Sequence, residues 1–218
     1  MPRRAGDLVG ATKMDRPEDV EASPRTGKVY VVLTSNDRRR PEEVDKANPR
    51  ANNRFGHIIE LTEAVGDHTS TRFRWEIFIL CGDPKNREHG ASYQGRTDGS
   101  ILANPDNLAF DNAGRMWVCT DGNESALDVH DGIFVTDTEG PLRGRTRRFL
   151  SGVSGGELTG PAFTPDNRTL FVAIQHPGRT EGATYARPAS RWPDNRPDMP
   201  PRPSVLAVTR DDGGVVGD

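Results

Sequence analysis

Residues 105–120, PDNLAFDNAGRMWVCT, decide the fold: a short alternating segment, a turn of Asp, Asn and Gly, then the stronger apolar run Met116 to Thr120. Two alternating runs joined by such a turn predict a β-hairpin. The same plan recurs in PEDVEASPRTGKVYVVLT from Pro17 and in GPAFTPDNRTLFVAIQ from Gly160, with the strong strands over Val29 to Thr34 and Leu170 to Ile174. Further strand-like segments follow each hairpin: GHIIELT and RFRWEIFIL after the first, GIFVTD and TRRFL after the second, SVLAVT after the third. Helical periodicity of any length is absent.

Four short antiparallel strands repeated in this way describe a blade of a β-propeller, with blades packed radially around a channel. The expected architecture is therefore all-β, a partial propeller domain over 1–218 of about three four-stranded blades, with units near 15–81, 105–151 and 157–218. A polar insertion, Ser35 to Gly56, and the loop Gly82 to Asn104 lengthen the first unit. The proline-dense stretch 178–203 interrupts the third and reads as a surface excursion, because proline cannot donate to a sheet ladder. Three blades make an arc with open edges. The expectation is the end of a longer protein, or a chain that closes by pairing with another.

Composition narrows the function. A net charge of −3 supplies no excess of Lys and Arg for a nucleic-acid footprint. Arg38-Arg39-Arg40 runs into Pro41, Glu42 and Glu43 and reads as a solvated loop of mixed charge. No segment approaches the roughly 20 apolar residues that span a bilayer. The twin arginine near the N-terminus has no apolar stretch behind it, so no secretory signal is expected within this chain. Cys81 and Cys119 each end a strand and lack metal-finger spacing, which predicts half-buried free thiols. No G-x-S-x-G elbow and no glycine-rich phosphate loop occurs.

In a propeller the innermost strand of each blade starts beside the channel, at the same end in every blade. Those starts carry Arg16 and Glu18 in DRPED, Asp106 and Asn107 in NPDN, and Glu157 with Thr159 in GELTG. Three carboxylates converging from three blades suit a hard cation such as calcium. Arg16, two residues from Glu18, would add a phosphate clamp of bidentate geometry. The competing reading makes PED and PDN ordinary turn signals whose acids cap loop backbone. His176, just past a core strand, is expected to be structural before functional, and His57, His68, His89 and His130 read as loop or strand-edge residues.

Five ordered motifs together resemble the PhoX family of alkaline phosphatases: MDRPEDVEASPRTGKVYVVLT, NPRANNRFGHIIE, FRWEIFILCGDP, NPDNLAFDNAGRMWVCTDG and GELTGPAFTPDNRTLFVAIQHPG. The likeness covers the C-terminal half of that family. It implies a six-bladed propeller with iron and calcium at the channel mouth, monomeric at full length, hydrolysing phosphate monoesters in the periplasm or outside the cell. It implies Arg16 as a catalytic and substrate-binding phosphate contact, Asn107 as a substrate contact, and Glu18, Asp106 and Glu157 as metal ligands. The family's N-terminal half, with several ligands including a cysteine, has no counterpart here, so little activity is expected of this chain alone. The alternatives are a propeller fragment that binds without catalysis, and another calcium-dependent propeller hydrolase acting on lactones or phosphotriesters. Arg16 separates the last from a phosphomonoesterase, since a neutral lactone needs no such clamp.

Overall fold

In the computed structural model, which describes residues 2–218, the chain is built almost entirely of antiparallel strands. The first sheet runs β1 (Pro17–Ala22), β2 (Val29–Leu33), β3 (His57–Glu63) and β4 (Phe73–Leu80) in sequence order. The second repeats the meander with β5 (Pro105–Phe110), β6 (Met116–Thr120), β7 (Gly132–Thr136) and β8 (Thr146–Ser151). The third has β9 (Glu157–Phe163), β10 (Thr169–Gln175) and β11 (Ser204–Thr209). It therefore holds three strands among the described residues, not the four expected. Two short α-helices, α1 (Pro2–Leu8) and α2 (Asn123–Leu127), and four single 3-10 turns complete the regular structure among the described residues.

The innermost strands lie side by side, β1 against β5 and β5 against β9, so the three sheets follow one another as propeller blades do. The sheets do not close into a ring. Successive strand residues point to opposite faces, and β6 shows the consequence: Met116 and Val118 face the first sheet, whereas Trp117 and Cys119 face the third. All five residues of β6 are buried, which explains why MWVCT reads as a continuous apolar run. The core between sheets one and two contains Tyr30, Val32, Ile58, Phe78 and Phe134; that between two and three contains Ile133, Leu158, Leu170 and Val172. By contrast, β1 is exposed at five of its six positions.

The Arg38-Arg39-Arg40 run in the insertion 35–56 is only partly the solvated loop expected of it. Arg39 is buried and donates from Nε to Asp15 Oδ1 at 2.6 Å, while Arg38 and Arg40 lie outside. The return of the insertion into β3 needs Gly56, with φ +73°, where an added Cβ would collide with the Thr34 carbonyl oxygen. Nor is the proline-dense stretch wholly superficial. Trp192 packs against the core between the second and third sheets.

His57 likewise departs from the strand-edge expectation, being fully buried at the head of β3 with Nε2 2.8 Å from the Ala47 carbonyl and Nδ1 3.1 Å from Asn53 Nδ2. Burial pushes its pKa down to about 4. The unfolded chain then binds a proton between about 6.5 and 4 that the folded chain refuses, so stability is lost as pH falls through that window. The expected loss is on the order of 3 kcal/mol. Urea denaturation at pH 7 and pH 4.5, with His57→Gln as control, checks it, and the variant should lose much of the slope.

Both cysteines are free and fully buried. Burial pushes the Cys81 thiol up to about 12 and the Cys119 thiol well above its ordinary value, so both are kept as inert thiols.

Candidate active site

The register of each inner hairpin determines where the acids point. In sheet one Pro17 pairs with Leu33 and Asp19 with Val32, so Glu18 is left over as a bulge. In sheet two Pro105 pairs with Thr120 and Asn107 with Cys119, leaving Asp106 in the same bulged position. A bulge at one register position in two neighbouring sheets re-aims the same side chain twice. Sheet three breaks the pattern: Glu157 pairs with Gln175, the register of the prolines, and the irregularity falls around Gly160 instead. Glu18 and Asp106 are thus strict equivalents, and Glu157 is displaced by one position.

These acids act on one another. The Asp106 carboxyl is pushed up to about 7, first by burial and then by the charges of Glu157, Asp121 and Glu18, with Arg16 as a partial counterweight. Burial, followed by Asp121, also raises Glu157, against hydrogen bonds from Gln175 and His176. His176 Nε2 lies 3.1 Å from Glu157 Oε2 and its Nδ1 lies 3.3 Å from the Gly155 carbonyl. Arg16 is half exposed, with Nη2 3.3 Å from Glu18 Oε1 and Nη1 3.3 Å from Ser35 Oγ.

Two members of this group were not singled out from the sequence, or were undervalued. Because Leu33, Thr120 and Gln175 share one register position, Thr34, Asp121 and His176 share the next. Each stands one residue beyond the second strand of its hairpin, so aligning the three repeats by that strand would have found Asp121 and promoted His176. Asp121, Glu157 and His176 line an open cleft of about 640 Å³ together with Glu124, Ser125 and Arg179. Its wall depends on Gly155, φ +64°, where a Cβ would fall 2.6 Å from the Arg179 backbone.

Asn107 is placed differently from its expected role. Its Oδ1 accepts from Gly160 N at 3.0 Å and from the Thr159 hydroxyl, tying β5 to β9. Asp19, its register equivalent, accepts from Leu108 N at 2.8 Å and ties β1 to β5. The third residue of PED and of PDN is therefore a staple between sheets. Asn107→Ala is expected to cost about 0.5–1.5 kcal/mol in denaturant unfolding, through the lost hydrogen bonds to Gly160 N and the Thr159 hydroxyl, and to leave inorganic phosphate affinity unchanged by calorimetry.

Comparison with known proteins places the fold and these residues in a family. The family model of alkaline phosphatase PhoX matches residues 1–178. The chain belongs to the PhoX family. A solved structure, Pseudomonas fluorescens PhoX in complex with vanadate, a transition state analogue, superposes with a TM-score of 0.85 at 39% identity, over 99% of this chain and 37% of that one. No curated protein matches. The chain thus spans little more than a third of the solved PhoX it resembles, and the motifs that carried the resemblance lie inside the family match. No helix among the described residues is long and apolar enough to cross a membrane.

PhoX enzymes are metal-dependent phosphatases, and the residues present can be tested against a cation. The donors are carboxylate oxygens held near one another at a cost, as the raised Asp106 records. Asn104, next but one before Asp106, adds a buried side-chain oxygen with no hydrogen-bond partner among the described residues. Carboxylate and carboxamide oxygens fit calcium. Among the described residues no three His, Cys, Asp or Glu side chains close around a single point. Nothing in the set is particular to iron, and neither buried thiol joins it.

Proposed function

We propose that this chain carries the phosphate-binding and part of the metal-binding machinery of a PhoX-type phosphomonoesterase acting outside the cytoplasm. The observation that supports the reading is Asp106 itself, lifted to about 7 first by burial and then by the charges of Glu157, Asp121 and Glu18 from three sheets, with Arg16 as the nearby cation. Uncompensated carboxylates in such proximity are relieved by proton uptake or by a bound cation, and above pH 7 the cation is what remains.

In this reading Glu18, Asp106 and Glu157 would be the carboxylates that hold calcium and iron. When bound, such ions polarise the phosphoryl oxygens and neutralise charge that develops on them. The chain's own residues do the rest. Arg16 presents two N–H groups to a phosphate oxygen pair and orients the ester, which is why an anionic monoester suits the site better than a neutral lactone. His176 and Gln175 fix the Glu157 carboxylate through their hydrogen bonds. The cleft lined by Asp121, Ser125 and Arg179 leaves room for the alcohol portion of the substrate.

The test is hydrolysis of p-nitrophenyl phosphate by the full chain, and by the same chain joined to any upstream reading frame, with and without calcium and iron. Metal-dependent activity that Glu18→Gln abolishes is the expected result. Equal activity with the metals chelated would sink the reading.

A further inference from the structure

The geometry points to the insertion 35–56 as a positioning device for Arg16, acting through a buried clamp on Asp15; the inference rests on Arg16 being the phosphate contact.

Asp15 has no solvent exposure, and three side chains of the insertion donate to its carboxylate. They are Asn36 Nδ2 at 2.9 Å and Arg39 Nε at 2.6 Å to Oδ1, and Asn53 Nδ2 at 2.9 Å to Oδ2. The Asp15 N–H donates to Asn48 Oδ1 at 3.1 Å. Arg39 reaches further with Nη2 to the Lys13 carbonyl at 2.9 Å and Nη1 to the Glu43 carbonyl at 2.6 Å, so one buried guanidinium fastens the insertion to the segment that leads into β1. The next residue is Arg16.

Arg16 needs such an anchor. It holds φ at +52°, which L-residues with long side chains seldom adopt, and it precedes a proline that restricts it further. Thr34 N donates to its carbonyl at 3.0 Å, and Ser35, the first residue of the insertion, meets its guanidinium. The root of the side chain is therefore fixed while its end stays open to solvent. Local backbone strain persists only where the surroundings over-determine it, and the Asp15 clamp supplies that. The second repeat shows the contrast. Asn104 takes the same left-handed turn, φ +53°, before Pro105, but its short side chain is buried and no comparable ion pair precedes it.

A double-mutant cycle on inorganic phosphate affinity of the full chain tests the proposal, by calorimetry with calcium present. Arg39→Ala should weaken phosphate about 10-fold, Arg39→Lys should recover part of that, and Arg39→Ala should add almost nothing in an Arg16→Ala background. Asn36→Ala, which removes one donor only, should shift affinity in the same direction by about 3-fold and guards against a variant that fails to fold. Calcium affinity should stay within 2-fold in Arg39→Ala, Arg39→Lys and Asn36→Ala, which general loosening would not allow. Phosphate affinity unchanged in Arg39→Ala and Asn36→Ala, or full additivity with Arg16→Ala, overturns the positioning role and leaves Arg16 as the contact. An Arg16→Ala chain that binds phosphate as before overturns the reading of Arg16 itself, and the clamp's role with it.

Discussion

Asp106→Asn is expected to stabilise the metal-free protein at pH 8 and to remove the metal-dependent phosphatase activity proposed for it. The two effects share a cause. Asp106 is raised to about 7 where its unfolded value is near 4, so the folded chain binds the extra proton between those limits and stability falls as pH rises through them. Above pH 7 the carboxylate is ionised among Glu157, Asp121 and Glu18 with only Arg16 in opposition. Asparagine removes that charge and keeps the shape. Allowing for solvent screening at a cleft, the gain is about 1–2 kcal/mol in chelator at pH 8, vanishing near pH 4. Losing an anionic ligand should cost at least about 100-fold in activity with calcium and iron supplied, since residues merely supporting a ligand already cost 10–100-fold. Thermal unfolding in chelator at the two pH values, together with an activity assay, reads both. A variant less stable than the parent at pH 8 would mean that the charges around Asp106 are compensated within the chain.

The second large effect belongs to Arg16. Arg16→Ala is expected to raise KM for a phosphate monoester and the inhibition constant of inorganic phosphate by about 10–100-fold. That range follows from about 1.5–3 kcal/mol for a hydrogen bond to a charged group. The fall in kcat should be smaller, because an interaction made equally with substrate and transition state mainly sets binding. Arg16→Lys should restore only part of the affinity, as a single ammonium cannot reproduce a two-pronged contact. Steady-state kinetics over a range of added phosphate separates the constants. Unchanged KM and inhibition in the alanine variant would move the phosphate contact elsewhere.

These expectations could be framed because the strands and the channel-side acids were legible in the sequence. MWVCT reads as a continuous apolar run because it lies buried between two sheets, VYVVL is largely buried, and in TLFVAIQ only Leu170, Val172 and Ile174 face the core while Phe171 is exposed. Glu18 and Asp106 stood out because each follows a proline at the start of a repeat, and the shared bulge gives that pattern its structural meaning. The features that escaped were set by partners far along the chain. The RRR run looked solvated because its neighbours are polar, yet Arg39 is buried by Asp15, a residue 24 positions away. His57 looked peripheral until the insertion folded Ala47 over it. Asn107 was expected as a substrate contact from its position beside Asp106, and its side chain meets the third sheet at Gly160 and Thr159. Asp121 belongs to no motif of its own and emerges only from the register of β5 with β6.

The central claim is that carboxylates delivered by three successive sheets form one cation site beside Arg16. Calcium titration of the chelator-treated full chain by calorimetry, repeated with Glu18→Gln and Asp106→Asn, tests it most directly. The account predicts saturable calcium binding in the parent that is weakened at least about 10-fold by each substitution, although the two residues lie on different sheets. Calcium binding of equal affinity in all three proteins, or none in any, would contradict it.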